Sequence, residues 1–295
     1  MLECLGSGGE IDRQVDQLLR AADAYGRYPT PVDDILAAAK LTQVDDYVLD
    51  DSKIAKAPAY LRSLLRSAKH KIQGLVDRRE KVVHISPDID HEARRRFVKL
   101  HETTHSILPH QQDLVYADTN ETLSLATKRL FEQEANQGAA ELLFQRGHFG
   151  RDANDLEISL ASVWLLAERY GSSFHAALRR YAETHEAAVA AIVFDPTPVA
   201  LTPKTWQREE AMATRAWRDR FGPVTWPFRM DHVSHPFMAA LDYPMLDEVT
   251  LVDRAGLPVT VRVTPESNGY KRFALLWIQP QKRLLKRVKV RAVRE

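Results

Sequence analysis

Residues 101–105 have the sequence H-E-T-T-H, and of all the side chains in this chain they have the clearest chemical meaning. On a helix, positions i and i+4 lie on one face, so His101 and His105 can direct both imidazoles at one metal ion. Glu102 follows the first histidine, where its carboxylate can take a proton from a water molecule activated by the metal. The pattern therefore predicts a catalytic zinc (Zn2+) site with Glu102 as the general base.

A catalytic zinc needs a third protein ligand, with one position left for water. Glu132 and Glu134 are the best candidates, in a segment, residues 130–143, whose sequence predicts a helix. Small residues at 135 and 138–140 would let this helix pack closely against another one. Side chains two positions apart on a helix point to different sides, so the two glutamates cannot both face the metal, and their spacing does not choose between them.

The elements around the motif are predicted to hold it on a helix spanning about residues 91–108. An apolar stripe with three- and four-residue spacing begins at Phe97 and ends at Leu108, which predicts one buried face. Asp88 or Asp90 can cap the N-terminus, and the proline after Leu108 would end the helix. The two histidines would then border a helix face that is fixed by the core.

Residues about 10–190 resemble the ImmA/IrrE family of bacterial metallopeptidases in four places. These are residues 28–37 (Y-P-T-P-V-D-D-I-L-A), the hairpin-like segment 74–86, residues 96–105 (R-F-V-K-L-H-E-T-T-H) and residues 132–143 (E-Q-E-A-N-Q-G-A-A-E-L-L). The chain departs from the family in having Phe144-Gln145 where Met-Pro is usual, and in an extra basic helix near 58–71. The resemblance implies a zincin-like, mostly helical domain with a small sheet, in which Glu132 is the third metal ligand.

The resemblance also implies an activity. Family members typically cut a helix–turn–helix transcriptional repressor, often encoded next door, and so switch on genes in mobile elements, DNA-damage responses and antiphage operons. The CapP-type proteases of antiphage operons resemble this chain further, because they join such a peptidase to a C-terminal sensor-like domain. That similarity implies single-stranded DNA as the activating signal. In the mechanism, the strand near residues 82–85 would pair with an extended substrate segment.

Composition places the chain among ordinary globular proteins. It has 295 residues, 44% of them hydrophobic and 27% charged, and a formal net charge of +1, so no overall charge bias points to nucleic acid or membrane. We expect no membrane partner, because no apolar run approaches the length of a membrane span and no signal-peptide pattern is present. Cys4 is the single cysteine, so no intramolecular disulfide can form and a cytoplasmic location is predicted.

The overall prediction is an α+β protein in three parts. Residues 1–150 form the zinc metallopeptidase domain, residues 151–195 a helical segment similar to a helix–turn–helix, and residues 200–295 a smaller α+β sensor or interaction domain. In the helical segment, the second helix is expected to run from Phe174 to about Val189. The C-terminal part is predicted to contain a hairpin of two strands and resembles in position the GAF-like domain that some family members carry.

Two alternative functions belong to other classes. A non-catalytic, metal-containing module could sequester a repressor or toxin, although such a module has no need of a base at Glu102. A DNA-binding regulator could use the helical segment together with the basic stretch 282–291. The favoured interpretations are an ordinary packed helix pair for the segment and a solvated edge strand for the stretch.

Two further features concern the metal site itself. A Cys4 thiolate could occupy the open coordination position and hold the enzyme inactive. Four side chains are candidates to stabilise the oxyanion that forms during peptide hydrolysis, and the sequence does not choose among them. These are His148, His175, His185 and Tyr116.

Overall fold

The computed structural model describes residues 8–46, 73–111, 125–199, 203–243 and 245–279. The chain divides into two compact units, Met1–His185 and Glu186–Glu295. The first is mostly helical with a small sheet and the second is rich in strands, so the predicted α+β class is confirmed. Four predicted features lie outside the described residues: Cys4, Tyr116, the basic helix near 58–71 and the basic stretch 282–291. Within the described residues, no helix has the length and apolar character to cross a membrane.

The first unit begins with two helices and a three-stranded sheet. Helices α1 (Gly8–Ala21) and α2 (Val32–Ala38) precede strands β1 (Thr42–Asp45), β2 (Gly74–Asp77) and β3 (Val82–Ile85). The strand order is β1-β3-β2, with β3 parallel to β1 and antiparallel to β2. The central strand is therefore β3, and the hairpin predicted over residues 74–86 is confirmed.

Helices α3 (Glu92–Ile107) and α4 (Leu125–Leu143) carry the predicted metal ligands. Leu108 ends α3, as the proline after it predicts. The predicted aspartate cap is wrong, because His91 takes the N-cap position and no side chain caps the helix there. The helix is fixed instead by Arg96, whose guanidinium donates to the backbone carbonyls of Gly171, at 3.1 Å, and Thr30.

In the described part of the first unit, three shorter helices follow: α5 (Gly147–Asp155), α6 (Leu160–Tyr170) and α7 (Phe174–Thr184). Gly171 ends α6 in the left-handed conformation, with φ of 67°, and the Ser173 hydroxyl caps α7, as the sequence predicts. The expected extension of α7 to about Val189 is wrong. The run V-A-A-I-V-F that begins at Val189 is buried along its whole length, which suits a central strand rather than an amphipathic helix.

The second unit is built on a six-stranded antiparallel sheet with the order β6-β5-β4-β9-β8-β7. The strands are β4 (Val189–Phe194), β5 (Trp206–Ala213), β6 (Arg229–Met230), β7 (Glu248–Val252), β8 (Pro258–Ser267) and β9 (Arg272–Trp277). The predicted hairpin is β7–β8. Two helices, α8 (Arg215–Phe221) and α9 (Ala239–Asp242), accompany the sheet, and Trp206, Trp217 and Phe237 belong to its apolar core. The GAF-like character of this unit stays a prediction.

Candidate metal centre

Three side chains from α3 and α4 bring their donor atoms together. The Nε2 atoms of His101 and His105 lie 3.2 Å apart. Carboxylate oxygens of Glu132 lie 3.3 Å from the first of these nitrogens and 3.6 Å from the second. Two ligands at zinc–nitrogen distance, separated by the tetrahedral angle, lie roughly 3.3 Å apart. The two histidines and the glutamate therefore fit one tetrahedral metal ion, with a fourth position left over.

The structure shows which of the two glutamates, Glu132 or Glu134, faces the histidines, a choice that their spacing in the sequence does not make. The Glu132 side chain is 62% exposed and points to the two histidines. The Glu134 side chain is 1% exposed and accepts hydrogen bonds from His110 and Gln111 instead. One glutamate thus completes the donor set, while the other lies on the buried side of α4, as the helical geometry requires.

Close packing between α3 and α4 makes the shared donor set possible. Gly138 on α4 lies against Thr104 on α3, and a Cβ atom added at Gly138 would come within 2.4 Å of the threonine Cγ2. The Thr104 hydroxyl is turned back to the Leu100 carbonyl at 2.8 Å, so it places no unpaired polar group in the contact. Since Glu132 and the histidines lie on different helices, this contact sets the distance across which they would share a metal.

Glu102 lies on the side of α3 that faces β2, and only 8% of it is exposed. Burial raises the pKa of its carboxyl to about 7, with a further contribution from the Glu132 carboxylate. A hydrogen bond from the Val76 backbone N–H and the positive charge of Arg78 oppose this rise. The group is thus held by the backbone of β2, and its pKa suits proton uptake and release near neutral pH.

A cavity of about 710 Å³ contains both the donor set and Glu102. Its walls are formed by β2, α3 and α4. It is lined by Gln73, Gly74, Leu75, Val76, Arg78, Phe97, Val98, His101, Glu102, His105, Phe131, Glu132 and Asn136. The cavity joins the metal donors, the carboxyl group and a strand edge in one space.

The strand at this cavity is β2, not β3. The prediction that residues 82–85 pair with a substrate is wrong, because β3 is central and both its edges are occupied by β1 and β2. The Gln73 carbonyl bonds to the Ser86 N–H, so the alternation of an antiparallel pair turns the backbone groups of Gly74 and Val76 to the opposite edge. In the described residues no strand pairs with that edge.

Two amide side chains that were not predicted from the sequence contact the Nδ1 atoms of the histidines. The Nδ1 atom of His105 lies 2.6 Å from Gln111 Oε1, and that of His101 lies 3.2 Å from Asn136 Oδ1. Burial lowers the pKa of His101, and the neighbouring His105 lowers it further, which favours the neutral imidazole that a metal requires. Asn136 belongs to the family-like segment 132–143, whereas nothing in the sequence indicates Gln111.

None of the three described oxyanion candidates lines the cavity that contains the metal donors. His148 stacks on Tyr25, with ring centroids 4.8 Å apart, and His185 packs against Tyr181 at the same distance. His175 lines a second cavity, of about 610 Å³, between α3, α4 and α7. The oxyanion-stabilising group is therefore not one of these histidines in this arrangement.

The fold and the site are compatible with a metallopeptidase: two histidines and a glutamate from packed helices lie beside a buried carboxyl group and an open strand edge. Residues 62–181 match the sequence model of the Peptidase_M78 family, the IrrE N-terminal-like domain. The ImmA/IrrE resemblance is confirmed for this part of the chain, which is similar to a metallopeptidase domain. Its association with CapP-type proteases stays a prediction.

The whole chain was also compared with curated proteins and with solved structures. A search of curated proteins gives no match. A solved structure described as a Mycobacterium tuberculosis transcriptional regulator is similar over 91% of this chain and 74% of that chain, with 16% identity and a TM-score of 0.46.

Proposed function

We propose that this chain is a zinc-dependent endopeptidase that cleaves a helix–turn–helix transcriptional repressor and so derepresses genes. One observation carries the proposal: the donors of His101, His105 and Glu132 stand at tetrahedral spacing in the same cavity as Glu102. The substrate class is supported by the family resemblance.

In the proposed mechanism, His101, His105 and Glu132 hold the metal and leave one position for water. Bound zinc supplies a Lewis acid, which polarises the scissile carbonyl and lowers the pKa of water. Glu102 accepts the proton of the attacking water and later passes it to the leaving amine. Its hydrogen bond from the Val76 N–H fixes the direction of the carboxyl group during both transfers.

The substrate is proposed to bind as an extended strand along β2. Backbone groups of Gly74 and the carbonyl of Val76 face the open edge beside the cavity, where a peptide can pair with them. Main-chain pairing gives affinity without reading sequence, so side-chain pockets must supply the specificity. A folded repressor would have to present such a segment in a loop or a linker.

The helix pair α6–α7 supports this proposal rather than a DNA-reading function. One face of α7 is buried in the first unit through Phe174, Leu178 and Tyr181. The other face, which includes His175 and Arg179, lines the cavity shared with α3 and α4. A recognition helix must present such a face to a duplex groove. Single-stranded DNA as the activating signal, sensed by the C-terminal unit, remains part of the proposal on the strength of the CapP resemblance.

The proposal is tested with the full-length chain and the helix–turn–helix protein encoded beside it, co-expressed with and without single-stranded DNA or DNA damage. We expect the wild type to cut the repressor and Glu102→Gln to retain the metal without cutting. Glu92→Gln, at an exposed position on the same helix, is the matched control and should cut like the wild type.

The outcomes separate the candidate functions. Cleavage by Glu102→Gln would remove the mechanism. A stable complex without cleavage under any condition would favour a metal-containing module that sequesters the repressor. Dependence of cleavage on single-stranded DNA would support a sensor role for the C-terminal unit.

A further inference from the structure

The imidazole of His105 is held on its Nδ1 side by the amide of Gln111. Gln111 is fully buried just beyond the end of α3, and its Oε1 lies 2.6 Å from His105 Nδ1. Since a carbonyl oxygen only accepts hydrogen bonds, the proton in this contact belongs to Nδ1. The Nε2 atom of His105 is then unprotonated and presents its lone pair to the donor set.

The orientation of the Gln111 amide is itself fixed by Glu134. The Gln111 Nε2 group donates to Glu134 Oε2 at 2.8 Å, and a carboxylate accepts but does not donate. A flipped amide would turn its oxygen to the carboxylate and its NH2 group to His105, so both contacts would be lost. His110 Nε2 lies 2.7 Å from the same carboxylate oxygen, and only 1% of the Glu134 side chain is exposed.

The geometry points to a positioning relay: Glu134 fixes the amide of Gln111, and Gln111 fixes the tautomer and ring plane of His105 for metal binding. The inference rests on the proposed metal centre and adds two residues outside its ligand set. Arg78 strengthens the relay, because its guanidinium donates to the backbone carbonyls of both His105, at 3.2 Å, and Gln111, at 2.9 Å. Glu132 therefore serves as a metal ligand, whereas Glu134 positions the ligand His105 through Gln111.

His101 is supported differently. Its Nδ1 atom lies 3.2 Å from Asn136 Oδ1, a longer contact than the one that His105 makes. Asn136 is exposed, whereas Gln111 and Glu134 are buried. We therefore expect the metal centre to tolerate loss of the Asn136 amide better than loss of the Gln111 amide.

The relay is tested by metal binding, without any peptidase assay. Zinc affinity of the metal-free full-length chain is measured by competition with a chromophoric chelator, and the visible absorption of bound Co2+ reports the ligand geometry. We expect Gln111→Ala to weaken zinc binding by about 10–100-fold, the usual effect of losing a partner behind a metal ligand. Asn136→Ala should weaken it less. Gln133→Ala, at an exposed position beside Glu134, is the control and should bind like the wild type.

Exchanging the amide at position 111 and the carboxylate at position 134 distinguishes a positioning role from a general loss of packing. Gln111→Glu places two carboxyl groups side by side in a buried space, and their repulsion should weaken zinc binding relative to the wild type. Adding Glu134→Gln removes the repulsion and lets the amide at position 134 donate to the carboxylate at 111, which still accepts from His105 Nδ1–H. The double variant should therefore recover most of the wild-type affinity and the wild-type Co2+ spectrum.

Melting curves of the metal-free proteins identify the variants that do not fold. If Gln111→Glu is one of them, the zinc affinity of the folded double variant is compared with that of Glu134→Gln alone. Equal affinities of all variants and the wild type would overturn the relay while leaving the metal centre intact. A folded double variant that binds no better than Gln111→Glu would also overturn it. A wild-type chain that binds neither ion would overturn the proposed function, and the relay with it.

Discussion

Gly138 on α4 and Thr104 on α3 are in direct contact, and the glycine has no room for even one additional carbon atom. An added Cβ would lie 2.4 Å from Thr104 Cγ2 and 2.9 Å from its Oγ1. This contact lies between the helix that carries the two histidines and the helix that carries Glu132. The distance between the helices, and with it the geometry of the donor set, depends on the absence of a side chain at position 138.

We expect Gly138→Ala to destabilise the first unit and to weaken metal binding, because the new methyl group forces α3 and α4 apart. Overpacking of this kind typically costs about 1–3 kcal/mol. Chemical denaturation of the metal-free protein measures the stability, and chelator competition measures the zinc affinity. Gly147→Ala is the control, since nothing lies within 4 Å of a Cβ added there. Equal stability of the two variants would show that the helices can adjust.

Gly74 on β2 has a similar role on the opposite side of α3. A Cβ there would lie 2.6 Å from Val98 Cγ1 and 2.9 Å from Glu102 Oε1. We expect Gly74→Ala to displace the carboxyl group and to reduce the cleavage rate by on the order of 100-fold, as misplacement of a catalytic group by about 1 Å does. Zinc affinity should change little, because Gly74 contacts α3 at Val98 and Glu102, whereas the donor side chains lie on other faces of α3 and α4. Full cleavage activity would contradict the proposed position of the base.

Glu132→Ala is expected to lower zinc affinity by more than the roughly 10–100-fold that loss of a supporting partner costs, because it removes a ligand. The fold should be retained, since the Glu132 side chain is 62% exposed and packs into no core. Metal content after purification and the melting temperature of the metal-free protein check the two parts. Unchanged metal content would show that another side chain completes the site.

The helices after residue 150 are expected to be essential for folding of the peptidase domain. Tyr170 on α6 is fully buried and packs against Phe144 and Phe149, with ring centroids 6.0 and 5.2 Å apart. Arg180 on α7 forms a two-pronged ion pair with Glu141 on α4, at 2.7 and 2.9 Å.

A fragment that ends at residue 185 should therefore unfold cooperatively, whereas one that ends at residue 150 should not fold. Thermal unfolding followed by circular dichroism distinguishes them. Cooperative unfolding of the shorter fragment would support the domain boundary at residue 150 that the sequence predicts.

The local parts of the site could be predicted from sequence because each depends on a few neighbouring residues. Spacing within H-E-T-T-H places two histidines on one helix face, and small residues at 135 and 138–140 indicate a close helix contact. Gly171 and Ser173 mark the end of one helix and the start of the next, since only local backbone geometry decides them.

Apart from the aspartate cap of α3, which is a local feature, the parts that were wrong depend on contacts between distant segments. The order β1-β3-β2 decides which strands form the edges of the first sheet. Nothing within residues 82–85 indicates this order. The helix from Phe174 was expected to reach about Val189, whereas it ends at Thr184 and a strand begins at Val189. A short apolar run does not reveal whether a sheet will surround it. Gln111 has no sequence signal, since its task depends on Glu134, which lies on another helix.

The hydrogen bond from Val76 to Glu102 has a consequence for inhibitor design. The open edge of β2 and the metal donors lie in one cavity, so a strand-mimicking compound that carries a metal-chelating group can engage both at once. Joining the two parts makes the second binding event intramolecular, and the effective concentration gained in this way can raise affinity far above that of either part. A compound that reaches the Val76 N–H would also compete with Glu102 for its hydrogen-bond donor, and it would turn the proposed base aside while occupying the place proposed for the substrate.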